Sequence, residues 1–240
     1  MTVSVILPTY NERDNIIKLI QEIIKNVEKT NHSYEIVVVD DNSPDKTGLL
    51  CREHFLKNNK INVFVRKNER GFASAIYYGI KKSKGEIIIV MDTDFSHDPK
   101  LITIMLSEIK KCDIVLASRY VQNGGGENKR RYWMSKAYNM YLRYILRINI
   151  SDFLFGYFCV KRQFVVKNNL LSRNIFFGFG DYFIRLAYYI NKSGGTFLEI
   201  PAFYKDRIYG VSKSNLKKML VTYTSTSLQL LMRDLFAKKR

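Results

Sequence analysis

Two carboxylates, Asp92 and Asp94, stand at the end of an uninterrupted apolar run, Ile87-Ile88-Ile89-Val90-Met91. So apolar a run predicts a strand covered on both faces, as in a parallel sheet between layers of helices. The acids then fall at its C-terminal end, where open α/β sheets bind their ligands. Aspartates spaced i, i+2 beside a buried strand repel each other unless a cation lies between them. A hard divalent ion with oxygen ligands, Mg²⁺ or Mn²⁺, meets that need and also grips a diphosphate. The competing explanation is that both acids cap the helix beginning near Pro99, although Asp98 already holds the capping position.

The elements that must position these acids follow from the patterning. Short apolar runs at residues 3–7, 35–39, 62–65, 86–91 and 113–117 read as strands, with helical spacing at 15–27, 46–56, 73–82 and 99–109. That alternation predicts βαβ units and a mostly parallel sheet flanked by helices, an α/β fold. Right-handed crossovers then gather the loops after each strand along one edge. The polar clusters Thr9-Tyr10-Asn11-Glu12, Asp40-Asp41-Asn42-Ser43 and Asp92-Thr93-Asp94 all fall in such loops. Three acidic loops at one edge make a site. The second half is less regular: a flexible loop at Gly124-Gly125-Gly126, a helix at 129–146, a strand at 156–161, a helix at 180–190, a strand at 196–200, a loop at 206–213 and an amphipathic helix at 215–236.

At 240 residues and 46% hydrophobic, the chain suits one α/β domain, residues 1–214, with a C-terminal amphipathic helix at 215–240. Its formal charge of +17 is uneven. Arg119, Lys129, Arg130, Arg131, Lys136, Arg143 and Arg147 face Glu127 as the only acid between them. Such asymmetry suggests a polyanionic partner: nucleic acid, anionic lipid or a phosphorylated substrate. The cysteines, Cys51, Cys112 and Cys159, are odd in number and form no metal pattern, which predicts free thiols in a reducing compartment. A strand pattern almost from the first residue leaves no place for a signal peptide, and no window holds about 18 uninterrupted apolar residues. A cytosolic chain is expected.

Pro8-Thr9-Tyr10-Asn11-Glu12, Val39-Asp40-Asp41-Asn42-Ser43-Pro44-Asp45, Asp92-Thr93-Asp94, Ser118-Arg119-Tyr120 and Asp206-Arg207-Ile208-Tyr209-Gly210-Val211-Ser212-Lys213 occur in this order. Together they resemble dolichol-phosphate mannosyltransferases, inverting family-2 glycosyltransferases with a GT-A fold. The first three motifs belong to nucleotide-sugar transfer at large; the last is narrower and points to a polyprenyl phosphate acceptor. The resemblance implies that Pro8, Tyr10, Glu12, Val39 and Asp41 hold the donor's base and ribose. It gives Asp92 and Asp94 the metal, Mg²⁺ or Mn²⁺, with Thr93 beside them and Ser96 where some relatives place a glutamine. Arg119, Arg207 and Lys213 then contact the donor phosphates or the incoming acceptor phosphate, and Arg131 and Ser135 match positions that bind the acceptor phosphate. Residue chemistry agrees in part, since an Arg fork suits bidentate phosphate recognition. Glu12 could equally serve the helix dipole, and Arg131 could belong to a solvated basic face with Lys129 and Arg130.

One segment departs from the pattern. Relatives commonly carry Thr-Ser-Gly-Phe-Arg after the aspartate matched by Asp152, whereas this chain reads Phe153-Leu154-Phe155-Gly156-Tyr157-Phe158. Asp181 falls where relatives have a carboxylate near the sugar; it could hold a sugar hydroxyl or simply start a helix. His97 lies near the acid pair but is given no role.

The expectation is metal-dependent, inverting transfer of a hexose to dolichyl or polyprenyl phosphate at the cytosolic face of a membrane. Mannose from GDP-mannose is favoured, with UDP-glucose or a UDP-N-acetylhexosamine as the alternative. Aromatics and cations on helix 129–146, with the Lys238-Lys239-Arg240 tail, suit peripheral attachment to anionic headgroups; packing of both helices on the sheet is the plainer alternative. A membrane-embedded partner subunit would serve the same end. Nucleic-acid binding through the basic surface would leave the acidic loops unexplained and is not expected. An inactive subunit that kept the fold is the third possibility, raised by the altered 153–158 segment.

Overall fold

The structure, a computed structural model, describes residues 1–172, 174–205 and 216–237. Its strands are β1 (Thr2–Thr9), β2 (Ser33–Asp40), β3 (Ile61–Val65), β4 (Ile87–Val90), β5 (Ile114–Ser118), β6 (Gly125–Gly126), β7 (Phe158–Lys161), β8 (Phe197–Pro201) and β9 (Phe203–Tyr204). The helices are α1 (Arg13–Val27), α2 (Thr47–His54), α3 (Phe72–Lys82), α4 (Leu101–Glu108), α5 (Lys129–Leu146), α6 (Arg162–Lys167), α7 (Asp181–Lys192) and α8 (Leu216–Ala237). Seven strands make one sheet in the order β3-β2-β1-β4-β7-β5-β8, and β6 pairs with β9. All pairs in the large sheet are parallel except those of β7, which runs antiparallel to both β4 and β5.

Alternation along each strand feeds two separate cores. Val3, Val5 and Leu7 of β1, with Ile87 and Ile89 of β4, face α1, α2 and α4. Ile6, Ile88 and Val90 face α3, α5, α7 and α8. Both sets are buried, which is why Ile87–Val90 carries no polar residue: a central strand between two helical layers has no wet side. Helix α1 lays Ile16, Leu19, Ile20, Ile23 and Val27 on the sheet, each buried side chain contributing about 1.5–3 kcal/mol.

The βαβ reading holds through β5, and the second half brings corrections. The strand expected at 156–161 is β7, reversed relative to its neighbours; Phe158 lies opposite Val90 and Leu116. The residues before β7, rather than those after it, therefore arrive at the edge where β4 ends. The glycine run read as a flexible loop is instead packed. A Cβ on Gly124 would lie 2.7 Å from the Arg119 carbonyl oxygen, and one on Gly125 would lie 3.0 Å from the Phe203 ring. These glycines let two stretches of backbone approach, and β6 closes onto β9. Helix α6 and strand β9 were too short to leave a period in the sequence.

Gly124→Ala should therefore cost about 1–3 kcal/mol of stability by overpacking against main chain. Gly126→Ala, whose Cβ would meet nothing nearer than 3.6 Å, should change stability little. Denaturant midpoints of the two variants check the contrast; equal midpoints would refute the packing argument.

Candidate active site

Strand β1 leads outward through β2 to β3, while the chain returns through α3 to place β4 on the other side of β1. The loops after β1, β2 and β4 thus spread apart at a topological switch point, where open α/β sheets form clefts. A cavity of about 380 Å³ lies there, lined among others by Pro8, Tyr10, Glu12, Asp41, Asp92, Thr93 and Asp94.

Asp41, Tyr10, Glu12 and Asp94 are each anchored. Asp41 accepts from Arg66 Nε at 2.7 Å and from the Gly71 N–H at 2.7 Å, so the loop after β3 clamps the loop after β2. Arg70 from that same loop stacks on Tyr10, 3.8 Å from the ring centroid. Glu12 precedes α1 and accepts from Asn15 Nδ2 at 2.9 Å, while its own N–H donates to Thr47 Oγ1 at 3.0 Å. Ser96 donates from both its N–H and its hydroxyl to Asp94 Oδ1, at 3.1 and 2.6 Å, and so sets the angle of that carboxylate.

The loop after β4 also rests on His97, which is buried. Its Nδ1 accepts from the Asp92 N–H at 2.8 Å, so the proton sits on Nε2, which donates to the Phe155 carbonyl at 3.0 Å. Tyr157 stacks on the ring at 4.8 Å between centroids. Burial above all pushes the imidazole pKa down to about 4, and the neutral ring works as a strut between the acid loop and the segment before β7.

A second cavity, about 850 Å³, adjoins the first and shares Asp92, Leu154 and Phe155 with it. Ser96, His97, Arg119, Arg130, Arg131 and Ser135 line its polar part, and Met134, Tyr138, Tyr141 and Leu220 line its apolar part. Arg119 is tied to Asp152 by a fork, Nε to Oδ2 at 2.8 Å and Nη2 to Oδ1 at 2.9 Å, with Ser135 Oγ 3.3 Å from Nη2. Burial opposes its charge, but Asp152 outweighs that and holds the guanidinium pKa above its ordinary value. Its Nη1 donors make no hydrogen bond among the described residues. Arg131 sits in the first turn of α5, whose N-cap Asn128 accepts from the Arg131 N–H at 3.0 Å.

The residues expected from the sequence thus divide between two adjoining cavities. Val39 lines neither; it is fully buried, with its side chain packed beneath α3 against Gly79. Arg207 and Lys213 lie outside the described residues. Asp181 lines neither cavity and is held by Arg185 Nη1 at 2.7 Å and the Phe179 N–H at 2.8 Å, which favours the helix-start reading over a sugar contact. The sequence reading passed over Arg66, Arg70, His97 and the aromatics Phe179, Tyr182 and Tyr223. The loop rule could have found the first two, because residues 66–71 follow β3 at the same edge. The hard-oxygen pair Asp92 and Asp94 fits a divalent cation that fills its remaining positions with water or substrate oxygens. Among the described residues no group of three or more His, Cys, Asp or Glu side chains is placed to hold a metal.

Sheet order and switch-point cavity together define a GT-A fold. Mannosyl-3-phosphoglycerate synthase from Rubrobacter xylanophilus superimposes with a TM-score of 0.64 at 19% identity, covering 100% of this chain and 75% of that one. Glucosyl-3-phosphoglycerate synthase from Mycobacterium tuberculosis, solved with Mn²⁺, UDP and phosphoglyceric acid, gives 0.66 at 16% identity, covering 96% and 78%. In sequence, residues 4–168 match the description of glycosyl transferase family 2, and the chain belongs to that family. Within it the chain is dolichol-phosphate mannosyltransferase-like. The dolichol-phosphate mannosyltransferase of Pyrococcus furiosus is 40% identical over 170 residues, 69% of this chain and 47% of that protein. The chain thus matches about half the length of that relative. The polyprenol monophosphomannose synthase of Mycolicibacterium smegmatis is 31% identical over 230 residues, 90% of this chain and 83% of that protein.

His97→Phe keeps a ring of similar shape and removes both hydrogen bonds. It should lower stability by about 1–3 kcal/mol for each buried partner left unpaired. Thermal unfolding of the metal-free protein measures this, and an unchanged midpoint would rule out the strut.

Proposed function

We propose that this chain is an inverting, metal-dependent glycosyltransferase that moves a hexose from a nucleotide sugar onto a polyprenyl or dolichyl phosphate. The observation that carries the reading is the junction of two cavities of opposite character at Asp92. The smaller holds Glu12, Asp41, Asp92 and Asp94, a concentration of carboxylates that favours a cation and, through it, a diphosphate. The larger pairs Arg119, Arg130 and Arg131 with an apolar flank, which suits a phosphate head on a hydrocarbon tail.

In this reading Pro8, Tyr10, Glu12 and Asp41 receive the base and ribose, with Val39 contributing only main chain. Asp92 and Asp94 hold Mg²⁺ or Mn²⁺, with Thr93 adjacent and Ser96 orienting Asp94. When bound, the cation neutralises charge on the diphosphate leaving group. Arg119, Arg131 and Ser135 receive the acceptor phosphate, and by resemblance Arg207 and Lys213 join the phosphates. A phosphate monoester has a second pKa near 6, so at neutral pH it attacks the anomeric carbon as a dianion and no general base is needed. The protein's task is to bring two anions together in line. The names of the two relatives favour mannose as the hexose; GDP-mannose as its donor rests on the family resemblance, with a UDP-sugar as the alternative.

Residues 1–214 act as the transferase domain and 215–240 as a membrane-associating helix. No helix among the described residues is long and apolar enough to cross a membrane. Trp133, Met140 and Tyr144 of α5, and Val221, Leu228 and Met232 of α8, are exposed at i, i+7, i+11 spacing. Such apolar stripes beside Lys136, Arg143 and Arg147 support peripheral attachment to the cytosolic face, directly or with a membrane-embedded subunit.

Incubation with Mn²⁺ or Mg²⁺, a short polyprenyl phosphate and a panel of GDP- and UDP-sugars, followed by mass spectrometry of the lipid, tests the reaction. Asp94→Ala or a chelator should lower turnover by roughly a hundredfold or more; full activity in either case would refute the metal assignment. Arg131→Ala should raise the acceptor KM by about tenfold, the value of a charge-assisted hydrogen bond, and leave the donor KM unchanged. An equal effect on both substrates would remove Arg131 from the acceptor site.

A further inference from the structure

Tyr182, in the first turn of α7, is 1% exposed. Its ring is fixed by Phe72, Phe176 and Phe183, with centroids 6.0, 5.7 and 6.3 Å away. Its hydroxyl nevertheless has no hydrogen-bond partner among the described residues. A buried hydroxyl left unpaired is costly, and such groups in folded proteins call for a partner. The nearest acid on α7 does not serve, because Asp181 is already engaged by Arg185 and the Phe179 N–H.

Tyr182 belongs to the wall of the smaller cavity. Gly156 lines it as well, and a Cβ built on Gly156 would lie 3.9 Å from Tyr182 Oη. Gly156 has φ +75°, a conformation that favours glycine, so no side chain at 156 stands over Oη. Phe153, Leu154, Phe155 and Phe183 line the same cavity with hydrocarbon. Tyr182 therefore brings an unpaired hydroxyl to a largely apolar stretch of the wall of the cavity that Asp92 and Asp94 also line. A phenol both donates and accepts, which matches a neutral hydroxyl; a diphosphate belongs instead with the cation at Asp92 and Asp94.

We propose that Tyr182 is a specificity-determining residue whose hydroxyl bonds a hydroxyl of the donor's hexose, taking over where the segment 153–155 offers no polar side chain. The inference rests on the donor reading of this cavity given above.

Calorimetric binding in Mn²⁺ buffer of GDP, UDP, GDP-mannose and UDP-glucose to the wild type and to Tyr182→Phe tests both readings separately. The variant should bind the nucleoside diphosphate within twofold of wild type and bind its hexose conjugate about tenfold more weakly, the value of one hydrogen bond. Without ligand it should melt at or above the wild-type temperature, since an unpaired buried hydroxyl has been removed. Among deoxyhexose donors, one should lose about tenfold on the wild type and nothing further on the variant. If the wild type binds the conjugate and the variant binds it equally well, the tyrosine assignment falls while the donor reading stands. Equal losses on the nucleoside diphosphate, or a lowered melting temperature, would assign Tyr182 to cavity shape and overturn the proposal. A wild type that binds none of the four overturns the donor reading and this inference with it.

Discussion

Mutual repulsion among Glu12, Asp41, Asp92 and Asp94 is the constraint around which this cleft is organised. Four carboxyl groups on one small cavity weaken a fold unless each is held by donors, and the loops supply them. Asp41 is gripped from the loop after β3 by Arg66 and the Gly71 N–H. Asp94 is turned by Ser96, and the Asp92 main chain is fixed by His97. None of these contacts extends the sheet or enlarges either core. They keep like charges on one volume, the arrangement that the proposed cation and diphosphate would use.

The reversed strand explains why two cavities meet. In a purely parallel sheet only the exits of strands reach the ligand edge. Because β7 runs antiparallel between β4 and β5, its entry segment reaches that edge beside Asp92. Phe153, Leu154 and Phe155 then form the partition, and Leu154 and Phe155 are shared by both cavities. Two supports fix that partition: the His97 strut to the Phe155 carbonyl, and the fork from Arg119 at the end of β5 to Asp152. Breaking up that buried pair would strand a charge, so Arg119 has a structural duty beside any contact with phosphate.

What the sequence made legible was local and periodic. Uniform burial of Ile87–Val90 on both faces is written in its composition, and the acids at strand ends followed from the right-handed crossover rule. Helix α5 is bounded as expected because Asn128 caps it and its spacing is helical throughout. Less was legible where pairing is non-local. Nothing in Phe158–Lys161 says that it runs backwards, since direction is set by where the chain enters the sheet. The glycines at 124–126 read as freedom, yet Gly124 serves close approach to the folded-back Arg119 main chain and Gly125 to the distant Phe203 ring. His97 was invisible as a strut because its partners, a backbone N–H and a backbone C=O, carry no sequence signal.

The uneven charge also resolves once the layers are known. Arg119, Arg130 and Arg131 converge on the larger cavity, whereas Arg143 reaches Asn149 at the far end of α5 and Lys136 covers the exposed Trp133 ring at 5.0 Å. A single basic stretch of sequence is therefore split by one helix between a cavity and an outer face. Along α5 only Asn139, Leu142 and Leu146 are buried, so its first turn sets the exposed Arg130 and Arg131 at the larger cavity while its outer stripe keeps Met140 and Tyr144 exposed. A helix that joins a basic pocket to an apolar outer surface has the layout that the proposed amphiphilic acceptor needs, because the head and the tail of such a molecule require opposite solvents within a few ångströms of each other.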